Sequence, residues 1–135
     1  MKKNNAFLAM GIVLLIAGIL FSGCKKKSET IIPSFSVTAI TVQLQGGGEG
    51  LQFFGKCTND DVKMTKASIY DPLGEQNTTF NLNGNISVKN QAFDLQATNT
   101  GYVKELGTWT FNFVGNRTAD GASFSESASL SVTGK

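Results

Sequence analysis

Histidine is missing altogether from this chain of 135 residues. Its absence removes the commonest general base and the commonest transition-metal ligand. Cysteine occurs only at positions 24 and 57, which excludes the disulfide framework of small secreted domains. Charge is scarce, at 16% of residues, against about a quarter in an average domain. Basic and acidic residues nearly cancel, 12 against 10, so there is no electrostatic case for nucleic acid. Helical periodicity is lacking from Ile31 onward, which sets aside helical bundles and α/β folds. Gly46-Gly47-Gly48-Glu49-Gly50 lacks the Gly-Lys-Ser/Thr ending of a phosphate-binding loop and reads as a flexible turn.

What the chain does have begins at its N-terminus. Lys2 and Lys3 precede an uncharged apolar run from Ala6 to Phe21, followed by Ser22-Gly23-Cys24. A basic start, an apolar stretch and small residues at a cut site form the layout of a secretory signal. The rival reading is a transmembrane helix, but the run has 16 residues, short of the ~18–20 that span a bilayer. Ser22-Gly23-Cys24 resembles the lipobox of bacterial lipoproteins. The resemblance implies cleavage before Cys24 and attachment of an acyl lipid (palmitate) to its sulfur. It also implies sorting by the following residue, where Asp retains the protein at the inner membrane. Lys25 stands there, so the outer membrane is favoured over the inner.

The expected organisation is therefore a signal peptide over residues 1–23, a lipidated polar tether over 24–33 and one domain over 34–135. Lys2 and Lys3 leave with the signal, so the mature chain carries 10 basic and 10 acidic residues. Setting aside Lys25, Lys26, Lys27 and Glu29 leaves the domain at 7 against 9. The three lysines form a solvated tether that anionic headgroups would attract by about 1 kcal/mol each.

Along the domain, short alternating runs rich in Val, Ile, Thr, Phe and Ser are broken by Gly, Asn and Asp. That is the pattern of an all-β sandwich or barrel. Phe35, Val37 and Ala39 share one face, then Ile40, Val42 and Leu44 the other, which predicts a bulge or a strand crossing between sheets. Leu51, Phe53, Gly55 and Cys57 alternate next, and Met64 to Tyr70 reads as a third strand. Asp71-Pro72-Leu73-Gly74 suits a type I turn. Asn83-Gly84, between Leu82 and Ile86, predicts a hairpin. Phe93, Leu95 and Ala97 alternate, then Trp109, Phe111 and Phe113 share a face. Phe124, Ala128, Leu130 and Val132 alternate with five serines of the Ser123–Ser131 segment. Seven or eight strands in about 100 residues is the arithmetic of a sandwich.

Glu105-Leu106-Gly107-Thr108-Trp109-Thr110-Phe111 resembles the entrance to strand F of immunoglobulin domains, Asp-x-Gly/Ala-x-Tyr-x-Cys. The resemblance sets Trp109 at the corner tyrosine and Phe111 at the second cysteine, with Cys57 at the cysteine of strand B. It implies a seven- to eight-stranded immunoglobulin-like or fibronectin-III-like β-sandwich in which a Cys57–Phe111 packing contact replaces the inter-sheet disulfide. The nearest candidates for the missing strand-C tryptophan are Ile69 and Tyr70. An eight-stranded barrel is the alternative, since Gly107-Thr108-Trp109 is similar to the Gly-x-Trp of lipocalins.

Little in the sequence speaks for catalysis. Cys57 has no histidine to activate it and reads as a buried thiol. The serines lack a base. Asn59, Asp60 and Asp61 offer too few oxygens for a calcium site and read as a solvated loop. The chain is expected to be no enzyme, with no cofactor and no metal. Aromatics near turns or out of phase, Tyr102, Tyr70 and Phe54, are the candidates for stacking on a glycan or anchoring a protein. The expected function is a lipid-anchored, non-catalytic binding or adhesion module of the cell envelope, with the membrane, through Cys24, and a protein or glycan as partners. The alternatives are a structural subunit assembling through a sheet edge, or a barrel carrying a small ligand.

Overall fold

The computed structural model describes residues 29–96 and 101–134. The expected signal peptide, the expected lipid site at Cys24 and the expected Lys25–Lys27 tether lie outside the described residues, as does Ala97.

Eight strands are described: β1 (Phe35–Gln43), β2 (Glu49–Cys57), β3 (Val62–Tyr70), β4 (Gln76–Ser87), β5 (Phe93–Asp94), β6 (Tyr102–Val103), β7 (Gly107–Arg117) and β8 (Ser123–Val132). They form two antiparallel sheets. The first runs β1-β2-β5, with β6 also on β2, and the second β4-β3-β7-β8. The third strand leaves the first sheet for the second, and the chain returns to β2 at β5 and β6 before crossing again to β7. This is the immunoglobulin-like order, A-B-E facing C-F-G, with β4 added beside the C position. Among the described strands no pairing joins the sheets, so the barrel alternative is excluded.

Inward-facing aromatics hold the layers together. Phe53 of β2 lies 5.0 Å, centroid to centroid, from both Trp109 and Phe111 of β7. Phe35 of β1 stacks on Phe113 at 4.4 Å and tilts against Phe124 of β8 at 5.6 Å. Such pairs add about 0.5–1.5 kcal/mol each to the area they bury. Trp109, Phe111 and Phe113 are fully buried, as their shared face requires. Ile69 is fully buried and pairs with Phe111, so it fills the strand-C position. Close approach of β3 and β7 depends on Gly115, where a Cβ would run into the Lys63 carbonyl.

Three expectations need correction. Asn83 (φ 51°) and Gly84 (φ 72°) adopt the left-handed backbone of an Asn-Gly turn, yet the chain does not reverse there. Met64 pairs with Asn85 and Lys66 with Asn81, so Leu82, Asn83 and Gly84 stand opposite Thr65 alone. The dipeptide forms a bulge within β4, because both flanks pair with the same strand β3. Secondly, β1 carries no bulge: its register with β2 is unbroken from Phe35↔Cys57 to Gln43↔Glu49. Ile40 simply faces out, while Val42 and Leu44 pack over Gly101 and Gly50, which have no side chains to displace them. The slip falls in β3 at Thr65, where inward positions change from Val62 and Met64 to Ala67 and Ile69. Thirdly, the ring facing Phe111 belongs to Phe53. Cys57 is four residues, about 13 Å, further along β2, where it pairs with Phe35. It is buried and free.

Candidate functional site

The strands end in two chemically different sets of loops. At the end where the chain enters, Asn59 fastens the incoming segment: its Nδ2 donates to the Ile32 carbonyl and its Oδ1 accepts from the Ser34 amide, both at 2.8 Å. Pro33 is buried. Beside it, Arg117 donates to Asp60 Oδ2 at 2.7 Å and to Asp120 Oδ2 at 2.6 Å. The hydrogen bond to Asp60, more than the nearby charges, raises the Arg117 pKa further. Asp61 accepts from the Lys89 amide at 2.7 Å, and its carbonyl accepts from the Thr118 hydroxyl at 3.0 Å. Asn59, Asp60 and Asp61 are thus cross-links between loops rather than a solvated loop. Among the described residues, no three or more Asp, Glu or Cys side chains converge at metal-binding distances.

The opposite end carries an opening between the sheets. The edges β1 and β8 approach at Phe35 and Phe124. A groove of about 920 Å³ lies between them, with Ala39, Ile40 and Thr41 on one wall and Leu130 and Val132 on the other. Leu106, 60% exposed, and the Lys104–Glu49 ion pair at 2.7 Å border it. The groove offers apolar side chains between polar rims, the composition of a binding surface, and presents no nucleophile paired with a base.

The three aromatics picked from the sequence are not brought together. Tyr102 packs inward, 5.4 Å from Phe53 and 6.2 Å from Trp109, and its hydroxyl donates to the Leu95 carbonyl at 3.1 Å. Burial first, and the charge of Asp94 second, push its pKa up to about 12. Phe54 lies half-buried on the outer face of the first sheet, opposite Thr38 and Asp94. Tyr70 lies at the end of β3 opposite Thr110, on the outer face of the second sheet. The groove residues Ile40 and Leu106 were missed as site candidates. Ile40 did carry a signal, since the change of apolar phase begins there.

No protein-family model matches the sequence, and no curated protein or solved structure matches it.

Proposed function

We propose that this chain is a lipid-anchored protein of the bacterial cell envelope, held at the outer membrane through Cys24, whose sandwich is a non-catalytic binding or adhesion module for a protein or glycan. One observation carries the reading. The chain enters the domain at the Asn59 end, while the groove opens at the other end of β1, beside Leu106 and Val132. Six positions of extended strand, from Ser34 to Ile40, separate the two by about 20 Å. The segment that follows the proposed anchor thus joins the domain away from the groove, which supports a tethered module with its recognition surface left open. Mass spectrometry of detergent-extracted protein tests the anchor. The expected result is loss of residues 1–23 with an added acyl mass, and release from the membrane in Cys24→Ser. An intact Met1 on the membrane-bound form refutes it.

A further inference from the structure

Among the described strands β8 pairs with β7 alone, and which of its main-chain groups stay unpaired follows from one hydrogen bond. The Arg117 amide donates to the Ala122 carbonyl at 2.9 Å, one rung before Asn116↔Ser123. Hydrogen-bonded pairs recur at every second residue of an antiparallel ladder, and this register is unbroken from Asn116↔Ser123 to Gly107↔Val132. Even-numbered residues of β8 therefore bond to β7. The N–H and C=O groups of Ser127, Ser129 and Ser131 point the other way, along the open edge, and all three residues are exposed.

An open edge is a template for another strand, and proteins blunt it with proline, lysine, bulges or inward-pointing charges. The other edge of this sheet, β4, carries the Asn83-Gly84 bulge. By contrast β8 runs for ten residues with no proline, lysine or bulge. Its one charge is Glu126. Alternation places that side chain on the inner face with buried Phe124 and with Ala128, Leu130 and Val132. Glu126 makes no ion pair among the described residues. Beyond it the groove begins, with Leu130 and Val132 in its wall.

Glu126 decides what can occupy the edge. A second copy paired antiparallel about a two-fold axis would set odd residues of β8 against odd ones and even against even, since only the odd ones offer free main-chain groups. The even residues are Phe124, Glu126, Ala128, Leu130 and Val132, and none is basic. A second copy thus brings no cation to the carboxylate. A foreign strand with lysine or arginine at that place does, and opposite charges directly across a ladder attract.

Taking the groove as the recognition surface of the module, we propose that the edge of β8 accepts an extended segment of a partner protein, antiparallel to β8. Its apolar residues stand opposite Val132, Leu130 and Ala128, and a lysine or arginine stands opposite Glu126. From N- to C-terminus the segment reads apolar-x-apolar-x-apolar-x-basic. Main-chain bonds to Ser127, Ser129 and Ser131 supply affinity, and the alternate side chains that enter the groove supply specificity.

The test uses the full-length chain in detergent micelles and the capped peptide Val-Thr-Val-Thr-Ile-Thr-Lys. Bound peptide is expected to slow hydrogen exchange at the Ser127, Ser129 and Ser131 amides, while the Ala128 and Leu130 amides are slow with or without it. N-methylation of the peptide's threonine amides, which face β8, should abolish binding; N-methylation of its valine and isoleucine amides, which face away, should not. Ser129→Pro removes an N–H from the open edge and none from the β7 ladder, so it should abolish binding while the denaturation midpoint holds. Glu126→Lys should weaken binding by roughly fivefold and prefer the same peptide ending in glutamate. Unchanged exchange at the three serines, binding that survives Ser129→Pro or threonine N-methylation, or equal binding of the two peptides to the parent overturns the proposal. So does a dimer of the parent that Ser129→Pro dissolves, which assigns the edge to a second copy. The acyl mass at Cys24 is measured independently, so failure here with Cys24 acylated removes the strand partner and leaves the anchor standing.

Discussion

The indole Nε1 of Trp109 donates to the main-chain carbonyl of Glu105 at 3.0 Å, closing the corner that leads into β7. In immunoglobulin-like sandwiches a tyrosine hydroxyl makes the equivalent bond back to the chain a few residues upstream. An indole can only donate, and a carbonyl needs only a donor, so the replacement keeps the corner. Trp109 thereby combines a fully buried ring with a fixed turn. Trp109→Phe keeps most of the apolar area but strands the Glu105 carbonyl, at a cost of about 1–3 kcal/mol. Trp109→Ala also opens a cavity against Phe53 and should cost about 3–5 kcal/mol. Against a total of about 5–15 kcal/mol for a domain, the alanine variant sits close to unfolding. Denaturant titration followed by circular dichroism checks both, and a variant that melts like the parent would remove Trp109 from the core.

Asp60 is the second test, because the sequence presents it as a loop residue while its carboxylate meets Arg117 with little solvent around either group. Removing one partner of a buried ion pair leaves the other charge uncompensated. Asp120, the other partner of Arg117, is 47% exposed and holds its charge partly in water. Asp60→Ala is therefore expected to lower the denaturation midpoint more than Asp120→Ala. Asp60→Asn should fall between them, since its amide oxygen can still accept. Equal effects at the two positions would show that the pair behaves as an exposed one.

The difference between these residues explains what could be read from the sequence. The all-β class was legible because Trp109, Phe111 and Phe113 alternate, and alternation depends only on neighbours along the chain. The β8 stripe was legible for the same reason, with Ser125, Ser127 and Ser129 outward and Ala128 and Leu130 inward. Asn83-Gly84 misled because the backbone it favours is the same in a hairpin and in a bulge; which forms depends on where β3 lies. Asp60 misled because its partner is 57 positions away. The groove was only half legible: Ile40 marks it by falling out of phase, but Leu106, 66 positions further along the chain, meets it only in the folded arrangement. Tyr102 was legible as an aromatic near a turn, and its inward packing against Phe53 and Trp109 was not.

Cys57 is buried to 0% exposure and free, with its Sγ 3.7 Å from Asn59 Oδ1. It behaves as a small apolar side chain. Cys57→Ala is expected to cost about 1 kcal/mol or slightly more, through a small cavity. A thiol reagent should modify native protein only as fast as the domain opens, and immediately in denaturant. Immediate modification of the native protein would contradict its burial.

Tyr102 gives the stability a dependence on alkaline pH. Its pKa is raised from 10.0 to about 12 in the folded chain, by burial first and by Asp94 second. The neutral phenol donates to the Leu95 carbonyl, and the phenolate cannot. A folded-state pKa above the unfolded value means that the unfolded chain loses its proton first as pH rises. The contribution is therefore complete below about pH 10 and declines as the pH climbs through about 12. Tyr102→Phe removes the titration and the hydrogen bond together. It should be less stable than the parent at neutral pH, and the difference should shrink between about pH 10 and 12. In a Tyr70→Phe background Tyr102 is the sole tyrosine, so tyrosinate absorbance reads its titration directly. Half-titration near pH 10 in the native protein would show an exposed phenol and remove the hydrogen bond to Leu95 from the account.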